Sequence, residues 1–197
     1  MAVNVAISGF GRIGRLVLRS IIESKRKDIN VVAINDLAPV DTNAFLLAND
    51  TVHGPLNEKI SVKKNKMTIG RKTISVLNER DPQKLPWKKM KIDVALECTG
   101  LFTSKEKASM HIKAGAKKVL VSAPCSEADK TIVYGVNEQE ITRNDLVVSN
   151  ASCTTNCLAP VVKVLHEKFG IVHGYMTTIH AFTGDQSVLD TFHPDLR

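Results

Sequence analysis

The sequence predicts an α/β fold with a doubly wound, mostly parallel sheet, and three observations support this prediction. Runs that are apolar on both faces, at 3–8, 29–35 and 93–97, are typical of strands that helices cover on both sides. These runs alternate with segments in which apolar residues recur at helical spacing. A glycine-rich turn joins the first run to the first helical segment, within about 35 residues, the size of one βαβ unit.

The composition excludes several other classes of protein. Of the 197 residues, 43% are hydrophobic and 24% are charged, which is more apolar than a disordered chain. The 11 Gly and 7 Pro show no repeat, so a fibrous chain is excluded. No apolar run approaches the roughly 20 residues that span a bilayer, and no basic segment precedes the first apolar run. We therefore expect neither a membrane protein nor a secretory signal.

The net charge of +7 is concentrated in one stretch of the chain. Between Lys59 and Lys91, eleven Lys or Arg residues stand against two Asp or Glu. Strand-like alternation at 59–63 and 73–76 indicates a β meander with a solvated lysine face. The alternative is a nucleic-acid surface, but Trp87 is the only aromatic residue there, and single-strand binders stack bases on aromatic side chains. We therefore do not expect a nucleic-acid partner.

The elements after the first βαβ unit continue the same alternation. We expect a short helix over 42–49 and a polar-faced β meander over 59–78. Ser104 is placed to cap the helix that follows the strand at 93–97. Further strands are expected at 118–122, 131–134 and 146–149. Together these elements predict one α/β domain over residues 1–150.

The pattern changes after Asn150. An apolar stripe at helical spacing predicts a helix that Gly170 ends, and residues 172–181 predict a long strand. The stripe consists of Leu158, Val161, Val162, Leu165 and Phe169. One helix and one strand cannot bury a core of their own, so we interpret 151–197 as the incomplete start of a second, α+β domain. We expect the apolar face of its helix to be exposed.

Three glycines follow the first strand in the pattern G-x-G-x-x-G. They are Gly9, Gly11 and Gly14. Gly9 permits a tight turn, Gly11 lets the backbone approach a pyrophosphate, and Gly14 lets helix and strand pack closely. The free N–H groups at the start of the helix then favour an anion. Because this turn follows a strand and opens a helix, the pattern predicts a Rossmann-type dinucleotide site.

An acidic residue ends the second strand, as such a site requires. Asp36 is placed to accept hydrogen bonds from an adenosine ribose, where a 2′-phosphate would meet like charge. The sequence therefore favours NAD over NADP. The alternative is a glycine turn that binds no ligand, with Asp36 serving only as a cap at the end of the strand.

Two cysteines lie at the start of the helix after Asn150. Cys153 falls in its first turn, where the helix dipole and free N–H groups favour the thiolate. Cys157 lies one turn further on, and we expect it to be an inert buried thiol. Position alone leaves Cys153 open between a nucleophile and a buried structural thiol. The four cysteines show no CxxC motif and no zinc-ligand spacing, so we expect no metal site and a cytoplasmic protein.

His180 favours the nucleophile. It lies late in the strand expected after the Cys153 helix, where an imidazole can reach the helix N-terminus in the neighbouring layer. A thiolate paired with an imidazolium is an activated nucleophile. The alternative is a strand histidine without a catalytic part. The other five histidines have no comparable neighbourhood, and we interpret them as surface or packing residues. They are His53, His111, His166, His173 and His193.

Four segments, in this order along the chain, resemble the phosphorylating glyceraldehyde-3-phosphate dehydrogenases. They are 5–15, 33–37, 149–157 and 177–181, and the segment around Cys153 is highly specific. The resemblance covers the whole chain. It implies an enzyme of glycolysis, usually a homotetramer, that uses NAD, glyceraldehyde 3-phosphate and inorganic phosphate. It also implies that the family's catalytic domain continues beyond Arg197.

The resemblance further implies a role for each site residue. Cys153 would add to the aldehyde to give a hemithioacetal, and His180 would take its hydroxyl proton while hydride passes to NAD. Phosphate would then attack the resulting thioester and release an acyl phosphate, 1,3-bisphosphoglycerate. Substrate and phosphate contacts would fall on Ser152, Thr154, Thr183 and Arg197. Cofactor contacts would fall on Gly9, Gly11, Arg12, Ile13, Gly14, Asp36, Arg80, Thr99 and Ser122.

Two alternatives stay open at this point. Residues 193–197 also resemble the sister erythrose-4-phosphate dehydrogenases, whereas 183–186 look more like the glyceraldehyde-3-phosphate enzymes. Thr191 and Phe192 stand where many NAD-specific members have Leu-Pro, which slightly weakens the preference for NAD over NADP.

The non-enzymatic alternative is a bare NAD-binding module. In that case we expect the 197-residue chain to bind NAD weakly and to turn over nothing measurable.

Overall fold

In a computed structural model of the chain, which describes residues 2–181, a nine-stranded sheet forms the centre of the fold. The strands in chain order are β1 (Val3–Ser8), β2 (Ile29–Asn35), β3 (Asn49–Asp50), β4 (Gly54–Pro55), β5 (Ile60–Lys63), β6 (Lys66–Ile69), β7 (Lys72–Leu77), β8 (Val94–Glu97), β9 (Lys118–Val121), β10 (Lys130–Thr131) and β11 (Val147–Ser149). The short β3 and β4 pair with each other in a separate hairpin.

Within the described part of the chain, six α-helices lie between and after these strands. They are α1 (Arg12–Glu23), α2 (Val40–Ala48), α3 (Trp87–Met90), α4 (Lys105–Ala108), α5 (Met110–Lys113) and α6 (Cys153–Phe169), with 3-10 turns at Pro82–Lys84 and Glu138–Glu140. The predicted cap of α4 is confirmed, since the Ser104 hydroxyl accepts the Lys107 N–H at 3.3 Å. Within residues 2–181, no helix combines the length and the apolar character needed to cross a bilayer.

The order of the strands places β1 at the switch point of the sheet. The order is β10-β11-β9-β8-β1-β2-β7-β6-β5, and the pairings from β10 to β7 are parallel. Because β2 lies on one side of β1 and β8 on the other, the chain winds away from β1 in both directions. Such sheets bind ligands at the carboxyl ends of their strands, where the strand order reverses. The predicted Rossmann-type, doubly wound α/β fold is confirmed.

Alternation along the central strands builds one apolar cluster on each face of the sheet. Ile7 and Ile34 are fully buried in a cluster with Phe10, Leu18 and Met67. Their neighbours Ala6 and Ala33 point to the opposite face, into a second cluster built around Trp87, Leu85, Ile92 and Ala116. Burying a large apolar side chain stabilises a fold by about 1.5–3 kcal/mol, so these clusters fix the strand ends that carry the site.

The basic stretch folds as the predicted meander. β5, β6 and β7 pair antiparallel and extend the main sheet beyond β2. Their lysines, including Lys63, Lys66 and Lys72, are exposed, while Met67 and Ile74 are buried. The interpretation of this stretch as a solvated lysine face is therefore confirmed.

Three expectations from the sequence are wrong in extent or in kind. The strand expected at 131–134 is only the two-residue β10, because the chain enters a turn after Thr131. Residues 172–181 form no strand and are exposed. A strand needs a neighbour to pair its N–H and C=O groups, and no strand in residues 2–181 pairs with this segment. Cys157, expected to be buried, is exposed for the same lack of covering structure.

Helix α6 has the predicted ends and the predicted exposed apolar face. Gly170 closes it with φ +71°, a left-handed conformation that suits glycine, and its N–H donates to the His166 carbonyl at 2.9 Å. The side chains of Leu158, Val162 and Leu165 are 37–43% exposed. No part of the chain between residues 2 and 181 buries them.

Candidate active site

A cleft of about 360 Å³ opens at the carboxyl ends of β1, β2 and β8. Five of the predicted cofactor residues belong to its lining or floor: Gly9, Gly11, Asp36, Arg80 and Thr99. The rest of the lining is Ser8, Asn35, Leu37, Glu79, Pro82, Cys98, Leu101 and Phe102. The cleft thus lies where the strand order reverses, which is where a dinucleotide binds in this architecture.

The three glycines of the turn differ in the space around them. A Cβ on Gly9 would lie 2.6 Å from the Thr99 nitrogen, and one on Gly14 would lie 2.2 Å from the Gly9 carbonyl oxygen. A Cβ on Gly11 would meet nothing within 4 Å. Gly9 and Gly14 are therefore required by packing inside the protein, whereas Gly11 faces open space that a pyrophosphate can occupy.

The start of α1 offers unpaired backbone donors to that space. Gly11 is the N-cap residue and has no side chain to accept a hydrogen bond, and the first turn contains no acidic residue. The N–H groups of Arg12 and Ile13 are the first two of this helix, and such groups have no partner within the helix. Together with the positive end of the helix dipole they fit the phosphates of a dinucleotide.

The side chain of Arg12 is held away from the glycine turn. Its Nη1 lies 2.6 Å from Oδ2 of Asp50. Backbone N–H groups of His53 and Val52, together with this guanidinium, lower the pKa of Asp50 to about 2. The buried Arg19 supports the same hairpin by donating to the carbonyls of Gly54, His53 and Pro55. Arg12 can therefore reach a cofactor through its backbone, with its side chain engaged in the fold.

Asp36 joins the turn to the end of β2. Its Oδ2 accepts the Phe10 N–H at 2.7 Å, and its Oδ1 accepts the Ala38 N–H at 2.8 Å. Each carboxylate oxygen can accept a second hydrogen bond, so the half-buried side chain keeps capacity for ribose hydroxyls. The strand-end cap that the sequence left open as an alternative is thus present, and it is compatible with a ribose contact.

The other predicted cofactor residues lie around the cleft. Ile13 is 49% exposed at the start of α1, and Gly14 is buried beneath the turn. Ser122 follows β9, and its N–H donates to the Glu97 carbonyl at 3.0 Å. Its hydroxyl contacts the Cys98 thiol, whose pKa is raised by burial to about 11. Cys98 is consequently a protonated, unreactive thiol on the floor of the cleft.

Cys153 meets His180 at the start of α6. The chain leaves β11, turns at Ala151 with φ +56°, and begins the helix at Cys153 with Ser152 as its N-cap. The Sγ of Cys153 lies 3.0 Å from Nε2 of His180. The other ring nitrogen of His180 contacts the Ala181 carbonyl, which can only accept, so Nδ1 carries a hydrogen and Nε2 is free to take the thiol proton.

This contact shifts the pKa values of Cys153 and His180 so that the thiolate–imidazolium ion pair is favoured. The hydrogen bond between Cys153 and His180, aided by the Thr154 N–H, lowers the pKa of Cys153 from its ordinary value. The same hydrogen bond raises the pKa of His180. Both side chains are exposed, so a substrate can reach the sulfur. The pair has the chemistry of an activated nucleophile with an adjacent base.

Hydroxyl groups surround the start of the same helix. The Ser152 Oγ accepts the Thr155 N–H at 3.0 Å and contacts the hydroxyls of Thr154 and Thr155 at 2.9 and 2.7 Å. The hydroxyls of Ser152 and Thr154 thus lie together next to Cys153 in the first turn of the helix. Thr155 is an addition that the sequence analysis did not include. The predicted contacts Thr183 and Arg197 lie outside the described residues.

Several residues around the cleft were missed at the level of sequence. The Asn35 side chain pairs with the backbone N–H and C=O of Glu79 and holds the loop that carries Arg80. Glu97, which ends the apolar strand β8, binds Thr99 and the buried His111. In the sequence, these positions are marked only by a polar residue at the end of an apolar strand. That pattern does not identify the residues that they contact. Within residues 2–181 no three His, Cys, Asp or Glu side chains gather into a possible metal site.

Comparison with known families agrees with this geometry. The family model described as glyceraldehyde 3-phosphate dehydrogenase, NAD binding domain, matches residues 3–105, which is more than half of the chain. The chain belongs to the glyceraldehyde-3-phosphate dehydrogenase family. The C-terminal domain model of the same family matches residues 152–197. The cofactor of this glyceraldehyde-3-phosphate dehydrogenase domain is therefore NAD, and the open space at Gly11 and the acceptor at Asp36 fit it.

Individual relatives cover the whole of this chain. It is 61% identical to glyceraldehyde-3-phosphate dehydrogenase of Xanthobacter flavus over 196 residues, which are 100% of this chain and 58% of that protein. The corresponding protein of Cereibacter sphaeroides is 60% identical, again over 100% and 58% of the two chains. That of Thermotoga maritima is 53% identical over 98% and 58%. The chain thus spans less than two thirds of the length of these relatives.

Proposed function

We propose that this chain carries the cofactor site and the nucleophile of an NAD-dependent, phosphorylating glyceraldehyde-3-phosphate dehydrogenase of glycolysis. The observation that carries the proposal is the 3.0 Å contact between Cys153 and His180, on a chain whose first part is an NAD-binding domain. A nucleophile paired with a base beside a redox cofactor suits the oxidation of an aldehyde through a covalent intermediate. The names of the relatives support glyceraldehyde 3-phosphate as the substrate.

Cys153 forms and releases the covalent intermediate. Its thiolate adds to the aldehyde carbon, the carbonyl electrons move to oxygen, and that oxygen takes the proton that His180 had received from the thiol, which gives a hemithioacetal. His180 takes the hydroxyl proton at Nε2 as the carbon is oxidised to a thioester. NAD, when bound, supplies the acceptor for the hydride. An oxygen of inorganic phosphate then attacks the thioester carbon, the C–S bond breaks, and the Cys153 thiolate leaves with release of 1,3-bisphosphoglycerate.

The hydroxyl groups beside Cys153 bind the anions of this reaction in the proposal. Ser152 and Thr154 hold the substrate or the inorganic phosphate at the N-terminus of α6, where the helix dipole favours negative charge. Thr183 and Arg197 complete the contacts, as the resemblance implies. On the cofactor side, Arg12 and Ile13 bind phosphate through their N–H groups. Asp36 binds the adenosine ribose and selects NAD over NADP.

Further parts of the proposal concern the rest of the cleft and the assembly. Arg80 contacts the adenine half of NAD, and Thr99 and Ser122 contact the nicotinamide half. Residues 1–150 form the cofactor domain and 151–197 begin the catalytic domain. The complete enzyme is a cytoplasmic homotetramer. The 197-residue chain alone binds NAD weakly, turns over nothing measurable and self-associates through the exposed face of α6.

The test is NADH formation by a chain completed to the length of its relatives. Glyceraldehyde 3-phosphate and erythrose 4-phosphate are compared at equal concentrations with phosphate present. We expect faster turnover of glyceraldehyde 3-phosphate. Cys153→Ser should abolish this turnover and leave NAD binding intact. Faster turnover of erythrose 4-phosphate would assign the chain to the sister activity. Activity retained by the Cys153→Ser variant would show that the nucleophile is misassigned.

A further inference from the structure

A chain of three buried polar side chains lies behind the cofactor cleft. Glu97, His111 and Trp87 are each 1% exposed or less. The indole Nε1 of Trp87 lies 3.0 Å from Nδ1 of His111, and Nε2 of His111 lies 2.9 Å from Oε2 of Glu97. The other Glu97 oxygen accepts the backbone N–H of Thr99 at 2.7 Å and also binds the Thr99 hydroxyl. A carboxyl side chain is rarely buried unless it is hydrogen-bonded. The hydrogen bonds to His111 and Thr99 meet this requirement for Glu97.

The donors in this chain define where the hydrogens lie. An indole nitrogen can only donate, so Nδ1 of His111 must accept from Trp87. The hydrogen of the neutral imidazole is then on Nε2 and is donated to Glu97. Glu97 receives a hydrogen bond from His111 and is hydrogen-bonded to both the backbone N–H and the hydroxyl of Thr99. Within residues 2–181, His111 is the only basic side chain that contacts Glu97, and the hydrogen bond from Trp87 leaves its imidazole without a second hydrogen.

The carboxylate lies beneath the nicotinamide half of the cofactor site. The pyrophosphate belongs at the start of α1, above β1, and the adenosine belongs above β2, where Asp36 lies. The other half of a dinucleotide must then extend over β8, on the opposite side of β1. Glu97 ends β8 in register with Ser8 of β1, and Thr99 lines the cleft two residues later. Cys98 and Thr99, which directly follow Glu97, both line the cleft.

We propose that Glu97 is a positioning residue that gives the site a preference for NAD⁺ over NADH. It fixes the Thr99 loop through two hydrogen bonds, and it places a fixed negative charge under the nicotinamide. The oxidised ring is positively charged and the reduced ring is neutral, so the charge stabilises NAD⁺ selectively. A charge in the protein interior is screened little by salt, which makes the effect stronger than that of a surface carboxylate.

The experiment measures the dissociation constants of NAD⁺ and NADH by calorimetry, without any substrate. Glu97→Gln removes the charge, but its amide N–H faces the Nε2–H of His111. The double variant Trp87→Phe, Glu97→Gln frees the imidazole to move its hydrogen to Nδ1 and accept from the new amide. Trp87→Phe alone is the matched control, since it keeps the carboxylate. The unfolding temperature of each variant separately measures how far the substitution destabilises the fold.

We expect both variants that carry Glu97→Gln to lower the preference for NAD⁺ over NADH about fivefold, the size of a partly screened charge interaction. The double variant regains thermal stability relative to Glu97→Gln but does not regain the preference. Trp87→Phe alone, which keeps the carboxylate, lowers the preference less than either variant that carries Glu97→Gln. Equal weakening of NAD⁺ and NADH, or a lower unfolding temperature with an unchanged preference, would overturn the proposal. The inference rests on NAD as cofactor, and its result is independent of whether the chemistry proposed at Cys153 is correct.

Discussion

The Sγ atom of Cys153 lies 3.0 Å from Nε2 of His180, while Nδ1 of the same ring faces the Ala181 carbonyl. The carbonyl fixes the tautomer, so the nitrogen next to the sulfur is the one that can take a proton. Helix α6 contributes its N-terminal dipole at the same point. The reactivity of Cys153 therefore depends on a partner 27 residues away in the sequence.

His180→Asn should move the reactivity of Cys153 to higher pH. His180 lowers the pKa of Cys153 from its ordinary value of 9.0, so the thiolate persists below that pH in the parent protein. Without the imidazole, the rate of alkylation by iodoacetamide should rise only as the pH approaches the ordinary thiol value. Peptide mapping over a pH series measures this rate at Cys153.

The control for this change is His173→Asn, which replaces an exposed histidine on the same segment. It should leave the alkylation profile of Cys153 unchanged. Cys98 provides an internal reference in the same maps, because burial raises its pKa to about 11 and it should react slowly throughout. An identical profile for Cys153 with and without His180 would contradict the pairing.

Two glycines of the turn should respond in opposite ways to a methyl group. Gly14→Ala puts a Cβ 2.2 Å from the Gly9 carbonyl oxygen, so we expect a loss of about 1–3 kcal/mol or more in the free energy of unfolding. Gly11→Ala finds open space and has an ordinary φ of −70°, so stability should change by less than ~0.5 kcal/mol. Its affinity for NAD should nevertheless fall about tenfold, because the methyl group occupies the phosphate position.

Denaturant unfolding and NAD calorimetry on the two glycine variants separate packing from binding. A Gly11→Ala protein that binds NAD normally would show that the pyrophosphate lies elsewhere. A Gly14→Ala protein as stable as the parent would show that the turn can move to make room for the added methyl group.

Asp36→Ala should reduce the preference for NAD over NADP, since in the proposed site the carboxylate binds the ribose diol and would repel a 2′-phosphate. We expect the ratio of the two dissociation constants to fall about tenfold. The change also leaves the Phe10 N–H without its 2.7 Å partner, which costs about 1–3 kcal/mol of stability.

A companion variant, Asp36→Asn, keeps the shape of the Asp36 side chain while removing its charge, and it should also lose the preference. Asp41→Ala, on the exposed side of α2, is the control. Fluorescence titration of each protein with NADH and NADPH measures the ratio. Equal weakening of both cofactors in the Asp36 variants would show that Asp36 only caps β2.

The sequence was sufficient to predict features that depend on a residue type and its neighbours along the chain. A Cβ clash at Gly14 and a left-handed φ at Gly9 restrict those positions to glycine, so the turn could be predicted from residue type alone. The start of α6 at Cys153 followed from Ser152, a good N-cap residue directly before the apolar stripe. The apolar character of both faces of β1 and β2 likewise predicted a sheet that helices cover on both sides.

The remaining features depend on contacts that no local pattern contains. Residues 172–181 have strand-forming side chains, but the described part of the chain gives them no partner strand. Cys157 is exposed for the same reason, although its residue type favours burial. The Trp87–His111–Glu97 chain joins residues 14 and 24 positions apart, and only the tertiary fold, in which α5 packs against β9 and the turn at Pro82–Lys84, brings them together.

The most direct test of the proposed chemistry is rapid-mixing NADH formation from glyceraldehyde 3-phosphate, in a chain completed to the length of its relatives. Without inorganic phosphate, we expect a burst of one NADH per Cys153 followed by near arrest, because the thioester has no efficient acceptor. Added phosphate should restore steady turnover, and Cys153→Ser should abolish the burst. Steady turnover without phosphate, or a burst that survives Cys153→Ser, would contradict a phosphate-resolved thioester on Cys153.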